Sequence, residues 1–136
     1  MAYTPKGIDY MRNKLESKRP GVLKRYDYYE MKNSTSDFNI STPPDLRYWN
    51  SCIGWCAKAV DSLADRLQFK EMRNDDFAMN EIFNLNNKDI LTDSAFLSAL
   101  ISACCFVYIS ADEEGYPRLQ VIDGANATGV IDPITH

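Results

Sequence analysis

Between Thr42 and Phe69 the apolar side chains recur with a helical period. Leu46, Trp49, Ile53, Cys56, Val60, Leu63 and Leu67 follow one another at alternating steps of three and four residues. That spacing gathers them into one stripe and predicts a single amphipathic helix of about 36 Å. Thr42 is placed to cap it, Pro43 and Pro44 fit a first turn that needs no N–H, and Asp45 and Arg66 suit the two ends of the helix dipole. Leu46, Trp49, Ile53, Val60, Leu63 and Leu67 are therefore the predicted core. Replacing Trp49 by alanine is expected to cost on the order of 3–5 kcal/mol from such a position.

The flanking patterns are shorter. Thr4-Pro5 opens a helix with Ile8, Met11 and Leu15 on its apolar side. Pro20 is expected to interrupt it and to start a second helix carrying Val22, Leu23, Tyr26, Tyr29 and Met31. Residues 32–42, KNSTSDFNIST, read as a mobile loop. Residues 68–73 suggest a short strand anchored by Phe69. Asn74 or Asp75 then caps a helix with Phe77, Ile82, Phe83 and Leu85. A further helix from Leu91 or Thr92 into Ala103 presents Phe96, Leu97, Leu100 and Ile101. From Cys105 the period changes to two: CFVYIS, a turn at Asp112-Glu113-Glu114-Gly115, and RLQVID predict a hairpin. One last short strand is expected at Val130-Ile131, stopped by Pro133. The chain thus reads as α+β, mostly helical, with one long amphipathic helix and a small antiparallel β element near the C-terminus. Its 136 residues suit one domain, 1–136.

Charge narrows the function. The formal net charge is -4, which argues against a basic nucleic-acid-binding module. Positive charge is concentrated in the first 30 residues, where Lys18, Arg19, Lys24 and Arg25 adjoin Tyr26, Tyr28 and Tyr29. Basic residues among aromatics can hold single-stranded nucleic acid by stacking, so a small cytosolic nucleic-acid-binding module is the alternative reading. Tyr28 and Tyr48 fall off the helical stripes and, with Arg25, form a candidate contact surface suited to a protein neighbour.

Catalytic chemistry finds few residues. The sole histidine is His136, so neither a Ser–His nor a Cys–His design nor a Cys/His zinc set is expected. Neither phosphate-cradling glycine motif occurs. Asp75-Asp76 and Asp112-Glu113-Glu114 could serve a hydrolase, but helix capping and hairpin turning account for them more simply. Cys52, Cys56, Cys104 and Cys105 lack CxxC spacing and are expected to be small buried hydrophobes in a reducing cytosol. Residues 1–20 lack the apolar segment of a secretory signal, and no apolar run reaches the ~18 residues of a membrane span. The sequons at Asn33, Asn39 and Asn126 accordingly read as turn and cap chemistry. No catalytic residue, cofactor or metal is expected.

Four segments in fixed order resemble portal proteins, the head–tail connector rings of tailed bacteriophages. They are LKRYDYYEMKN, the helix ending AVDSLADRLQFKEMR, the helix beginning DDFAMNEIFNLNN, and the helix-to-hairpin unit DSAFLSALISACCFVYISADEEGYPRLQVID. Family members usually carry glycine where the fourth helix meets its strand; Ala103, Cys104 and Cys105 stand there in this chain. Portal proteins are several times longer, so the resemblance implies a fragment, or a remnant gene product, corresponding to the N-terminal wing region. It further implies a structural, non-enzymatic part of a homo-oligomeric, usually dodecameric ring through which double-stranded DNA is packaged and ejected. Terminase, scaffold or head proteins and tail adaptors are the implied partners. The implied locations are the virion and, during assembly, the host cytoplasm. This part is expected to be peripheral scaffold without direct DNA contact.

Overall fold

The computed structural model describes residues 7–32, 43–46 and 54–131. The first helix, α1 (Ile8–Tyr29), runs for 22 residues and carries Pro20 inside it. The expected break at Pro20 therefore does not occur. Pro20 and Glu16, whose carbonyl loses its partner, both lie on the exposed side, where that carbonyl is open to solvent. Inward-facing positions run Met11, Leu15, Lys18, Val22, Tyr26 and Tyr29. This is one uninterrupted seam, with Lys18 bridging what the sequence suggested were two helices. Val22, at 1% exposure, is its most buried member, while Ile8, Leu23 and Met31 are exposed.

The long helix predicted over 42–69 is replaced by separate pieces: a single 3-10 turn at Pro44–Leu46 and α2 (Trp55–Ala64). Trp49, Ile53, Tyr48 and Cys52, the side chain of Leu46 and the loop beyond Lys32 lie outside the described residues. Gly54 flanks the start of α2 without a side-chain cap. After Ala64 the ladder tightens to three-residue bonds, Arg66 N–H to Leu63 O and Leu67 N–H to Ala64 O, which ends the helix. Its inward positions are Ala57, Val60, Asp61 and Ala64. The helix thus approaches its neighbours on an edge of mostly small residues, to which the predicted stripe contributes Val60. Leu63 and Leu67, assigned to the core, are exposed; Val60 is half-buried, and Cys56 is exposed.

No strand forms at 68–73. Met72 instead receives both backbone hydrogen bonds from one side chain. Its N–H donates to Asn80 Oδ1 (2.9 Å) and its carbonyl accepts from Asn80 Nδ2 (3.0 Å), so an amide stands in for a strand partner. Phe69 stacks on Phe83 with ring centroids 5.4 Å apart. Helix α3 (Met79–Leu85) starts later than expected, leaving Phe77 outside it and exposed. Asp75 still supplies its cap: Oδ1 accepts from Met79 N–H at 2.6 Å and Oδ2 from Asn80 N–H at 2.7 Å.

Helix α4 (Lys88–Ser102) is the centre of the fold, touching α1, α2, α3 and both strands. It begins earlier than predicted because Asn87, at φ 54, reverses the chain immediately after α3. Its buried residues are Leu91, Thr92, Ser98, Ile101 and Ser102. Phe96 and Leu97 are half-buried and Leu100 is exposed, so the predicted apolar face is only partly the packed one. Small hydroxyl residues at 98 and 102 let the sheet come close. Ala103 ends the helix at φ 68, in the left-handed region that glycine enters at least cost.

The hairpin forms as the sequence predicts. β1 (Cys105–Ala111) pairs antiparallel with β2 (Pro117–Asp123), from Cys105 opposite Asp123 to Ala111 opposite Pro117. Asn86 reaches β2, with Nδ2 donating to Pro117 O and Oδ1 accepting from Leu119 N–H, both at 2.9 Å. This covers part of an otherwise open edge. No strand forms at Val130-Ile131; Gly129 O is taken by Lys14 Nζ at 2.7 Å, and Ile131 is exposed. The architecture is α+β and mostly helical, its long helix being α1. Among the described residues the buried apolar side chains are Val22, Leu91, Ile101 and Ala125. No described helix is long and apolar enough to cross a membrane.

Candidate interaction surface

Two concave surfaces flank α2. On one side a groove of about 280 Å³ lies where α1, α2 and α4 meet. Arg25 and Tyr28, two of the three predicted contact residues, line it with Val60 and Leu100. The third, Tyr48, is outside the described residues. Two hydrogen bonds fix the walls. Tyr29 Oη donates to Asp61 Oδ1 at 2.8 Å, tying α1 to α2. Arg25 donates to Ser102 O at 3.4 Å, satisfying a carbonyl at the end of α4. The Tyr29 phenol is pushed above its usual pKa, mainly because it donates to Asp61 and then through burial and the Asp61 charge.

On the other side, a cleft of about 610 Å³ opens between the end of α2 and α4. Leu67, Ile90 and Leu97 give it an apolar floor, and Asp65 and Asp93 lie at its polar margin. Around the corner Trp55 is 78% exposed and Leu63 53%. Of the described members of the stripe assigned to the core, Cys56, Leu63 and Leu67 are therefore surface and Val60 is half-buried. Spacing identifies a helix face that avoids water; it does not say whether this chain supplies the partner.

Of the acids weighed for catalysis, Asp75 and Asp112 hold backbone. Asp75 caps α3. Asp112 closes the hairpin turn, accepting from Tyr116 N–H (2.9 Å), Glu114 N–H (3.0 Å) and Arg118 Nε (3.1 Å). Both carboxyls are held below the usual range. The largest cause is the Asn80 N–H for Asp75 and the Tyr116 N–H for Asp112, in each case against some desolvation. A general acid needs the opposite shift. Among the described residues no group of three or more His, Cys, Asp or Glu side chains is placed to hold a metal ion.

A depressed carboxyl stabilises the fold while it is ionised. Asp75 thus contributes above its unfolded pKa, and its contribution is lost as pH falls through the lower folded value. The deficit of Asp75→Ala against wild type, read as a urea midpoint difference, is expected to be constant well above the ordinary value of 3.8 and to shrink below it. A deficit unchanged at still lower pH would mean that the carboxylate charge plays no part in the cap.

Of the four cations weighed for nucleic acid, Lys18 and Arg25 bond into the fold, whereas Arg19 and Lys24 are exposed. Lys14 holds Gly129 O, Lys18 holds Cys104 Sγ at 2.8 Å, and Arg25 holds Ser102 O. Tyr26 and Tyr29 are half-buried, while Tyr28 is exposed. Sequence reasoning missed Lys18 as a seam residue, although its position between Leu15 and Val22 completes the helical spacing. Compared with known proteins, the chain matches no family model and no curated sequence.

Proposed function

We propose that this protein is a structural, non-enzymatic element of the peripheral wing of a bacteriophage head–tail connector. The observation that carries the reading is the set of exposed apolar side chains on and just after α2. Trp55, Leu63 and Leu67 stand exposed, Leu67 in the wall of the cleft toward α4, while the interior of the described unit is small. A helix with this pattern is stable against a large neighbour, and a ring built from repeated subunits supplies one. The four sequence segments that resemble portal proteins add the specific identity. The net charge of -4 and the bonding of Lys18 and Arg25 to the fold weigh for scaffold over nucleic-acid binding, leaving Arg19 and Lys24 as the outward cations of that segment. The capping roles of Asp75 and Asp112 weigh for a mechanical part over a hydrolase.

The test is location. Antibodies raised against the chain, with a gold conjugate, are expected to label phage particles from cells carrying this gene at a single vertex, where the tail joins the head. Label spread over the capsid, or particles without label while the protein remains in the cell, overturns the proposal.

A further inference from the structure

We propose that Lys18 and Cys104 are a covalent modification site, at which peroxide oxidation joins the lysine amine to the cysteine sulfur as a sulfenamide. The link would fasten α1 to the α4–β1 junction. Lys18 lies half-buried in the α1 seam, and its Nζ sits 2.8 Å from Cys104 Sγ. No carboxylate lies within ion-pair distance of Lys18 among the described residues, so no ion pair holds the amine away from the sulfur. Cys104 is half-buried, which leaves it open to a small oxidant.

The sulfur is held in place from behind. A Cβ at Gly124 would lie 2.8 Å from Sγ, so the β2 end packs directly on it. The Cys104 carbonyl accepts from Ser102 Oγ, and Ala103 fixes the turn that presents the cysteine. Cys105 is the neighbouring thiol. Burial, followed by the charge of Cys104, pushes Cys105 above the usual thiol pKa, which keeps it in the less reactive form.

The chemistry balances in two steps. Cys104 sulfur attacks hydrogen peroxide; an S–O bond forms, the O–O bond breaks and water leaves, giving a sulfenic acid. Sulfur is oxidised by two electrons and peroxide is reduced. The Lys18 amine, its proton released to solvent, then attacks that sulfur; an N–S bond forms, the S–O bond breaks and a second water leaves. The net change converts thiol, ammonium and one peroxide into sulfenamide, two waters and one proton. Sulfenic acids condense with nearby nitrogen in this way. An amine already in contact outcompetes a thiol that must diffuse in.

The test uses the full chain with Cys52→Ser and Cys56→Ser, reduced and then exposed to a small excess of hydrogen peroxide. The intact mass is expected to fall by two hydrogens, and dithiothreitol to restore it. A tryptic map should contain one peptide joining the Lys18 segment to the Cys104 segment. Cys105→Ser should leave this product intact. Lys18→Arg keeps a cation without a nucleophilic amine and should give only added oxygen on Cys104. The same treatment in concentrated urea should give little cross-link. A two-hydrogen loss that maps to a Cys104–Cys105 disulfide overturns the proposal. So does oxygen added to Cys104 with Lys18 unmodified in the folded chain, or equal cross-linking in urea.

Discussion

Replacing Ile101 by alanine is expected to lower the unfolding free energy by about 2–5 kcal/mol. Ile101 is 5% exposed on α4, the helix that touches every other helix and both strands. The side chain adjoins the groove where α1 and α2 meet α4, so its loss loosens three elements together. The groove also lets neighbours collapse partway into the space, which argues for the middle of that range rather than its top. Few apolar side chains share the load: Val22, Leu91 and Ala125 are the other buried ones among the described residues. Against a typical domain stability of about 5–15 kcal/mol, the loss is severe. The paired control is Leu63→Ala, on the exposed stripe, expected to change stability by less than about 0.5 kcal/mol. Urea titrations at unchanged m-value measure both. Equal losses at the two positions would return Leu63 to the interior.

The contrast between Ile101 and Leu63 also marks how far the sequence could be read. Period-two alternation with a polar Asp-Glu-Glu-Gly turn placed the hairpin correctly, because a hairpin's partner is close in sequence and its turn residues are diagnostic. Capping is equally local, so the cap could be narrowed to Asn74 or Asp75, and Asp75 supplies it. The packed side of a helix is not local. On α2 the inward edge holds Ala57 and Ala64, which contribute little to any hydrophobicity pattern yet permit close approach, whereas the conspicuous leucines face outward. On α1, Pro20 suggested a boundary, but its cost depends on which side of the helix it faces. Met11, Leu15, Val22, Tyr26 and Tyr29 already carried the spacing of one helix once Lys18 was admitted to the seam. The strands expected around Phe69 and Val130 failed for a related reason. A β-like stretch becomes a strand only when another strand arrives, and here Asn80 and Lys14 took their backbone groups first. For the candidate surface, Tyr28 stood out in the sequence by falling off the helical stripe, and it lines the groove together with Arg25. The exposed stripe itself was visible only as hydrophobicity, since sequence spacing looks the same whether a helix is covered by its own chain or by another.

The second large effect is expected at the helix-to-strand junction. There Ser102 is 0% exposed and Gly124 N–H donates to Ser102 Oγ at 3.2 Å. The serine hydroxyl has one proton, which it can give either to Ser98 O (2.7 Å) or to Cys104 O. Ser102→Ala leaves the buried Gly124 N–H and one carbonyl without that partner, at about 1–3 kcal/mol for each group left unsatisfied. Gly124→Ala acts on the same contact from the opposite side. Its Cβ would lie 3.0 Å from Ser102 Oγ and 3.2 Å from the Cys104 carbonyl, besides its close approach to Sγ. A flexible side chain could move aside, but the carbonyl belongs to backbone held between α4 and β1, so the strand end must shift. Because one hydroxyl is central to both effects, the two substitutions should not add. In the double variant the missing Oγ leaves room for the new methyl, and the N–H that would lose its bond has already been displaced. The double variant is therefore expected to be less destabilised than the sum of the singles by at least about 0.5 kcal/mol. Urea unfolding of the four proteins of this cycle measures that coupling directly. Additive losses would show that Gly124 is constrained by Cys104 alone and that Ser102 acts only through its bonds along α4.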